Sequence, residues 1–210
     1  MTVYLHCEGV TDYAVIPQLM KHASRMPDID VQWVKRDTLK NVRTHRKNSI
    51  TITGRYKYIK ALAAFSLLKG CKQIAYHQDA DGRYSDNYNR ITEEFKNLEK
   101  SGFRCLAIVP KETIESWLLA DENAYPSPPD QPKLPLYPEE LWGRKDDKGS
   151  NHPYNYLVRV LAQFRLADNR DTYAQIAENT DVDILKNQCP ESFGMFYKNL
   201  QMFIADKSAV

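Results

Sequence analysis

Cysteine is scarce and scattered in this chain. Cys7, Cys71, Cys105 and Cys189 form no Cys-x-x-Cys pair and no Cys/His spacing of the zinc type, so they read as reduced structural thiols, not as a disulfide framework or a zinc site. Long apolar runs are missing too. No stretch approaches the ~20 residues that a bilayer span needs, and the start, MTVYLHCEG, runs straight into strand-like sequence without the charged and apolar regions of a signal peptide. A cytoplasmic location with no membrane partner is therefore expected. Glycine is low, 8 in 210 residues, and no Gly-x-x-x-x-Gly-Lys order occurs, which excludes an ATP-binding loop of that kind. A large charge imbalance is also lacking: the formal net charge is +2, so the distribution of charge matters more than its sum.

What is present is enough for a core. Hydrophobic residues make up 42% of the chain, compatible with one domain or one domain carrying a subdomain. Buried strands are expected at Val3 to Cys7, Ile29 to Val34, Gln73 to Gln78 and Arg104 to Val109. Between them, apolar residues recurring at three and four predict helices from Asp12 to Arg25, Tyr58 to Lys69 and Ile91 to Lys100, then a short one from Thr113 to Ala120. Strand–helix alternation at this rhythm argues for βαβ crossovers, hence an α/β fold with a mostly parallel, Rossmann-like sheet flanked by helices. The rhythm stops near residue 122. Six prolines between Pro126 and Pro138 are too dense for helix or central strand, so residues 123–152 read as an extended connection. Residues 153–210 read as a helical C-terminal extension packing on the core. Its patterns lie at Tyr154 to Phe164, Tyr173 to Asn179, Val182 to Lys186 and Glu191 to Ile204, the last led in by Pro190.

Three of these four strands lead into acid. Val3-Tyr4-Leu5 precedes Glu8, Ile74-Ala75-Tyr76 precedes Asp79 and Asp81, and Leu106 to Val109 precedes Glu112 and Glu115. In an open parallel sheet the carboxyl edge is where ligands bind. Bringing Glu8, Asp79 and Asp81 together sets like charges within a few ångströms, which is unfavourable without a cation. All-oxygen ligands suit Mg²⁺ or Mn²⁺. Gly82 lets the Asp-x-Asp-Gly turn bend. His6 and His77 each sit two residues before an acid, on the same strand face as it, either orienting a carboxylate or simply packed. His45 and His152 have no partner that sequence identifies.

The order of strand, Glu-Gly-x-Thr-Asp, βα unit, strand, Asp-x-Asp-Gly, βα unit, Glu-x-x-Glu-x-Trp resembles the Toprim family over about residues 1 to 122. The stretches Glu8 to Asp12 and Glu115 to Asp121, together with Cys189-Pro190-Glu191-Ser192-Phe193, are similar to small stand-alone Toprim proteins found beside ATPases in bacterial anti-phage systems, AbiL-like and OLD-nuclease-like. The resemblance implies a Mg²⁺- or Mn²⁺-dependent nuclease in which Glu8, Asp79 and Asp81 hold metal, and Glu8 acts as general base or acid. It also implies a separate ATPase subunit of the ABC or SMC type, since this chain carries no ATP-binding loop. Glu115 could hold a second ion, with Glu112 competing for that role, and Lys111 could offset charge on the transition state.

From Lys35 to Lys60 there are nine Lys or Arg residues against one acid, Asp37. Arg36, Lys40, Arg43, Arg46, Lys47 and Arg55 in this stretch look like a phosphate-backbone surface, either that or a solvated face. Arg83 and Arg90 follow the Asp-x-Asp-Gly turn, where a scissile phosphate would lie. Tyr56, Tyr58, Tyr84 and Tyr88 could stack on unpaired bases or simply pack. Trp117 reads as core, and Trp33 and Trp142 with it. Nucleic acid, DNA or RNA including tRNA, is the expected substrate, with a homodimer open. Two other readings remain: a noncatalytic Toprim-like binding or regulatory subunit, and a metal enzyme acting on a small phosphate or nucleotide.

Overall fold

The computed structural model describes residues 1–42, 57–126 and 133–205. Among these residues the sheet has four strands, β1 (Thr2–His6), β2 (Asp30–Trp33), β3 (Gln73–His77) and β4 (Arg104–Ile108). Its order is β2-β1-β3-β4 with every pair parallel. The fold is thus α/β with a parallel sheet flanked by helices, the Rossmann-like arrangement that the strand–helix rhythm predicts. Because the chain leaves β1 toward β2 on one side and places β3 on the other, the order reverses between β1 and β3. Crevices of this kind open at the carboxyl ends of the strands.

Alternation along the strands divides the core into two layers. Val3, Leu5 and Cys7 of the β1 segment, Ala75 of β3 and Leu106 and Ile108 of β4 face one side. They pack there against α1 (Val10–Ser24) and the C-terminal helices α7 (Arg170–Asn179), α8 (Val182–Gln188) and α9 (Phe193–Ala205). Ile74 and Tyr76 of β3 and Ala107 of β4 face the other side, against α2 (Arg36–Lys40), α3 (Lys57–Leu68) and α4 (Tyr84–Glu99). The short α5 (Glu115–Leu118) follows β4, and α6 (Pro153–Gln163) packs on it. Phe193, Phe196 and Phe203 of α9 are buried. The aromatic tail therefore builds core in this chain.

Among the boundaries that differ from the pattern-based expectation, two helix starts have a visible physical cause. Helix α4 begins at Tyr84, well before its apolar periodicity starts at Ile91. Its first turns are held by the Asn87 amide, which donates to the Ala80 carbonyl at 3.0 Å, and by the Tyr84–Tyr88 ring contact. Helix α9 begins at Phe193, not at Glu191 behind Pro190. The Glu139 carboxylate accepts from the Glu191 and Ser192 backbone N–H groups at 3.0 and 2.7 Å, fixing those residues ahead of the helix, as a capping carboxylate does. Helix α2 had no periodic signal; its single buried residue, Leu39, is held by tertiary packing against α3.

Candidate metal centre at the carboxyl edge

The turn from β1 into α1 carries two acids of different character. Glu8 is exposed, whereas Asp12, in the first turn of α1, is buried. The Asp12 Oδ2 accepts from the Gly9 N–H at 2.9 Å, satisfying one of the donors that a helix start leaves without a partner. The same oxygen lies 3.6 Å from His77 Nδ1.

His77 ends β3 on the face toward α1 and is 1% exposed. Its Nε2 lies 3.2 Å from Asp79 Oδ1, so the ring is set between two carboxylates. The distances suit charge pairing, but neither ring nitrogen makes a properly directed hydrogen bond. Burial alone pushes the imidazole down, yet Asp12, Asp79 and Glu8 together outweigh it and hold the ring protonated up to about 9. Asp79 Oδ1 also accepts from the Ile114 N–H at 3.2 Å, which ties the turn after β3 to the segment entering α5.

Among the described residues, Asp12, His77 and Asp79 are the one set of three metal-ligating side chains whose donor atoms all fall within 4.8 Å of one another. The edge also concentrates orphaned polar atoms. Of the buried side-chain donors and acceptors without a hydrogen-bond partner, His77 Nδ1 and Nε2 and Gln78 Nε2 belong to it, and such groups call for an explanation. A nitrogen-plus-carboxylate donor set fits a first-row divalent ion such as Mn²⁺ better than Mg²⁺, which prefers oxygen alone.

The structure therefore brings Asp79 together with Asp12 and His77, while Glu8 and Asp81 stand outside that tight group. Asp81 is exposed, with φ at +47°, and Gly82 follows at +74°. These two left-handed residues curl the turn so that the Asp81 N–H donates to the Glu112 carbonyl at 3.2 Å. A Cβ at position 82 would come 3.2 Å from Glu112 Oε1, so glycine serves both φ and approach. Glu112 is half-buried, and burial, then Asp81, then Asp79 push its carboxyl up against the pull of Lys111. Glu115 is buried and its carboxyl is likewise pushed up, by burial first, with Asp79 adding to it and a Thr113 contact opposing.

Lys111 pairs with Glu191 at 3.1 Å and so reaches toward the C-terminal segment. Arg36 Nε donates to the Tyr58 hydroxyl at 2.7 Å, and Lys40 pairs with Asp37 at 2.8 Å; both basic side chains are exposed but locally engaged. Arg83 and Arg90 are exposed. Arg43, Arg46, Lys47, Arg55, His45 and Tyr56 lie outside the described residues. Tyr84 donates to the Glu191 carbonyl, and Tyr88 accepts from Asn199, so these tyrosines pack. Trp142 departs from the core expectation: it is 76% exposed, because the turn that carries it lies on the surface.

The histidines separate on opposite faces. His6 faces α3, bonded through Nδ1 to the Val34 carbonyl at 2.8 Å and flanked by Tyr58 and Tyr76, so it is a packed histidine; His77 faces the carboxylates. His152 gains a partner that sequence does not reveal, as its Nδ1 accepts from the Tyr154 N–H at 3.2 Å at the start of α6. Burial and then Lys145 push its imidazole down, while Asp81 and Asp79 pull the other way, which puts it within the field of the acidic edge. Asp12 is legible in sequence only as a helix-start residue, and only the burial of α1 turns it toward β3.

Compared with protein-family models, curated proteins and solved structures, the chain shows no match in any of the three.

Proposed function

We propose that this chain is a metal-dependent nuclease that cleaves phosphodiester bonds in DNA or RNA, a Toprim-like effector working with a separate ATPase in anti-phage defence. The observation that carries the reading is the placement of His77, buried with both ring nitrogens lacking directed hydrogen bonds, between Asp12 and Asp79 at the β1/β3 crevice. Asp12, Asp79 and His77 would hold the ion, with Glu8 and Asp81 on its exposed side. When bound, a divalent ion supplies Lewis-acid charge for phosphodiester hydrolysis. The chain's own part is to orient Asp79 through the Ile114 N–H, with Glu112 half-buried and Glu115 buried nearby. The motif order of Glu8, Asp79, Asp81 and Glu115 supports the family and the defence setting, and the lack of an ATP-binding loop supports a second chain as the ATPase.

The test is to incubate the full chain with plasmid DNA, tRNA and total RNA, with Mn²⁺ or Mg²⁺. Cleavage is expected with Mn²⁺, and chelation or Asp79→Asn should remove it while thermal denaturation still reports a folded protein. Intact substrates under every condition, with and without a co-expressed ATPase of the ABC or SMC type, would overturn the reading.

One observation favours a noncatalytic subunit instead. A protonated His77 between Asp12 and Asp79 already offsets part of their charge without any metal. Under that reading Mn²⁺ titrated into the protein finds no site at Asp79.

A further inference from the structure

Adjoining the acidic edge, and sharing Gly82 and Glu112 with it, lies an open cleft of about 600 Å³. One wall is the start of α4 with Arg83 and Asp86, the floor is Lys111 and Glu112, and the far wall is the turn from Glu139 to Trp142. That turn is rigid. Pro138 is buried, and the Glu139 carboxylate accepts from the Glu191 N–H, the Ser192 N–H and the Ser192 hydroxyl. Yet Trp142 in that turn is 76% exposed, and Leu136 and Tyr137 just ahead of it, outside the cleft, are 78% and 65% exposed. Large apolar side chains held out in water by a fixed backbone mark interaction surfaces, and a preorganised aromatic is a typical anchor.

Charge selects the occupant. Glu139 is satisfied by the α9 start and Glu191 is paired with Lys111. Outside those contacts, among the described residues, the cleft offers Asp86, Glu112 and Glu140 against Arg83. A polyanion would meet net repulsion here. A cationic side chain would be attracted, with the Trp142 ring available for a cation–π contact beside the carboxylates.

We infer that this cleft docks a segment of a partner protein carrying Arg or Lys next to an apolar residue, with Trp142 as anchor and Asp86, Glu112 and Glu140 reading the positive charge. The inference does not depend on metal chemistry at the neighbouring edge, and it stands if the chain cleaves nothing.

A displayed random-peptide library selected against the full chain, without metal or nucleic acid, tests it. Selected peptides should be enriched in Arg or Lys beside Leu, Phe or Met, and they should shift the emission of Trp142. Trp142→Ala and Glu140→Lys, both at exposed positions, should each weaken binding by about tenfold or more. The inference is overturned if selection gives no binders or none with that bias. Peptides that bind both variants undiminished, or a single-stranded oligonucleotide that binds the cleft and quenches Trp142 more strongly than the selected peptides, would also overturn it. Because no metal is present in the assay, loss of the nuclease reading leaves this result unaffected.

Discussion

Trp117 Nε1 donates to Ser192 Oγ at 2.8 Å, across 75 positions of sequence and fully inside the protein. The two residues sit in the two stretches, Glu115 to Asp121 and Cys189 to Phe193, that sequence alone marks as distinctive. Ser192 passes the interaction on, since its hydroxyl donates to Glu139. The helix carrying Glu115, the start of α9 and the surface turn before Trp142 are thereby joined in one buried relay.

Removing the middle of that relay should be costly. Ser192→Ala leaves the Trp117 N–H without an acceptor and deprives Glu139 of a donor. An unsatisfied buried polar group costs about 1–3 kcal/mol. For a chain of this size that is a fall of about 2–4 °C in Tm per kcal/mol, readable by thermal denaturation, with the fold retained.

Surface pairing at Lys111 should matter far less. Its bridge to Glu191 is partly exposed, 30% and 59% for the two side chains, and pairs of this sort contribute about 0–1 kcal/mol. Lys111→Ala should leave Tm nearly unchanged, so any loss of cleavage in this variant reports on chemistry and not on folding.

The metal-free protein should lose stability as pH rises from neutral toward alkaline. The folded His77 keeps its proton up to about 9 against 6.5 as its ordinary value. Between those values the unfolded chain binds fewer protons than the folded one, so stability falls with pH. The contribution is complete below about 6.5 and gone above about 9. Denaturant midpoints of wild type and His77→Gln measured across this window should converge at the alkaline end.

Glu115 should behave as a group kept for something other than stability. Burial pushes its carboxyl up, so ionising it opposes folding. Glu115→Gln removes that penalty and should raise the Tm of the metal-free protein by a few degrees. Under the nuclease reading the same change lowers cleavage, a trade seen where function requires a strained site.

Mn²⁺ affinity, read by calorimetry or by loss of the free-ion paramagnetic signal, should fall by at least about tenfold in His77→Gln and in Asp12→Asn. An unchanged affinity in both would place the ion elsewhere, nearer Glu8 and Asp81.

Sequence by itself determined the strand–helix order, and hence a parallel sheet whose carboxyl edge gathers Glu8, Asp79, Asp81, Glu112 and Glu115. Periodicity and strand ends are local properties, written every two or every three to four residues. Which acids meet was decided by tertiary structure. Asp12 reads as a helix-start residue, and only packing α1 against the β1/β3 face sets its carboxylate beside His77. Likewise, burial that pattern predicts for Trp117 and for Trp142 alike is realised only for Trp117, because the relay through Ser192 and Glu139 draws one tryptophan inside and fixes the other's turn at the surface. Contacts made across long separations depend on how helices seat on the sheet, and no local pattern encodes that.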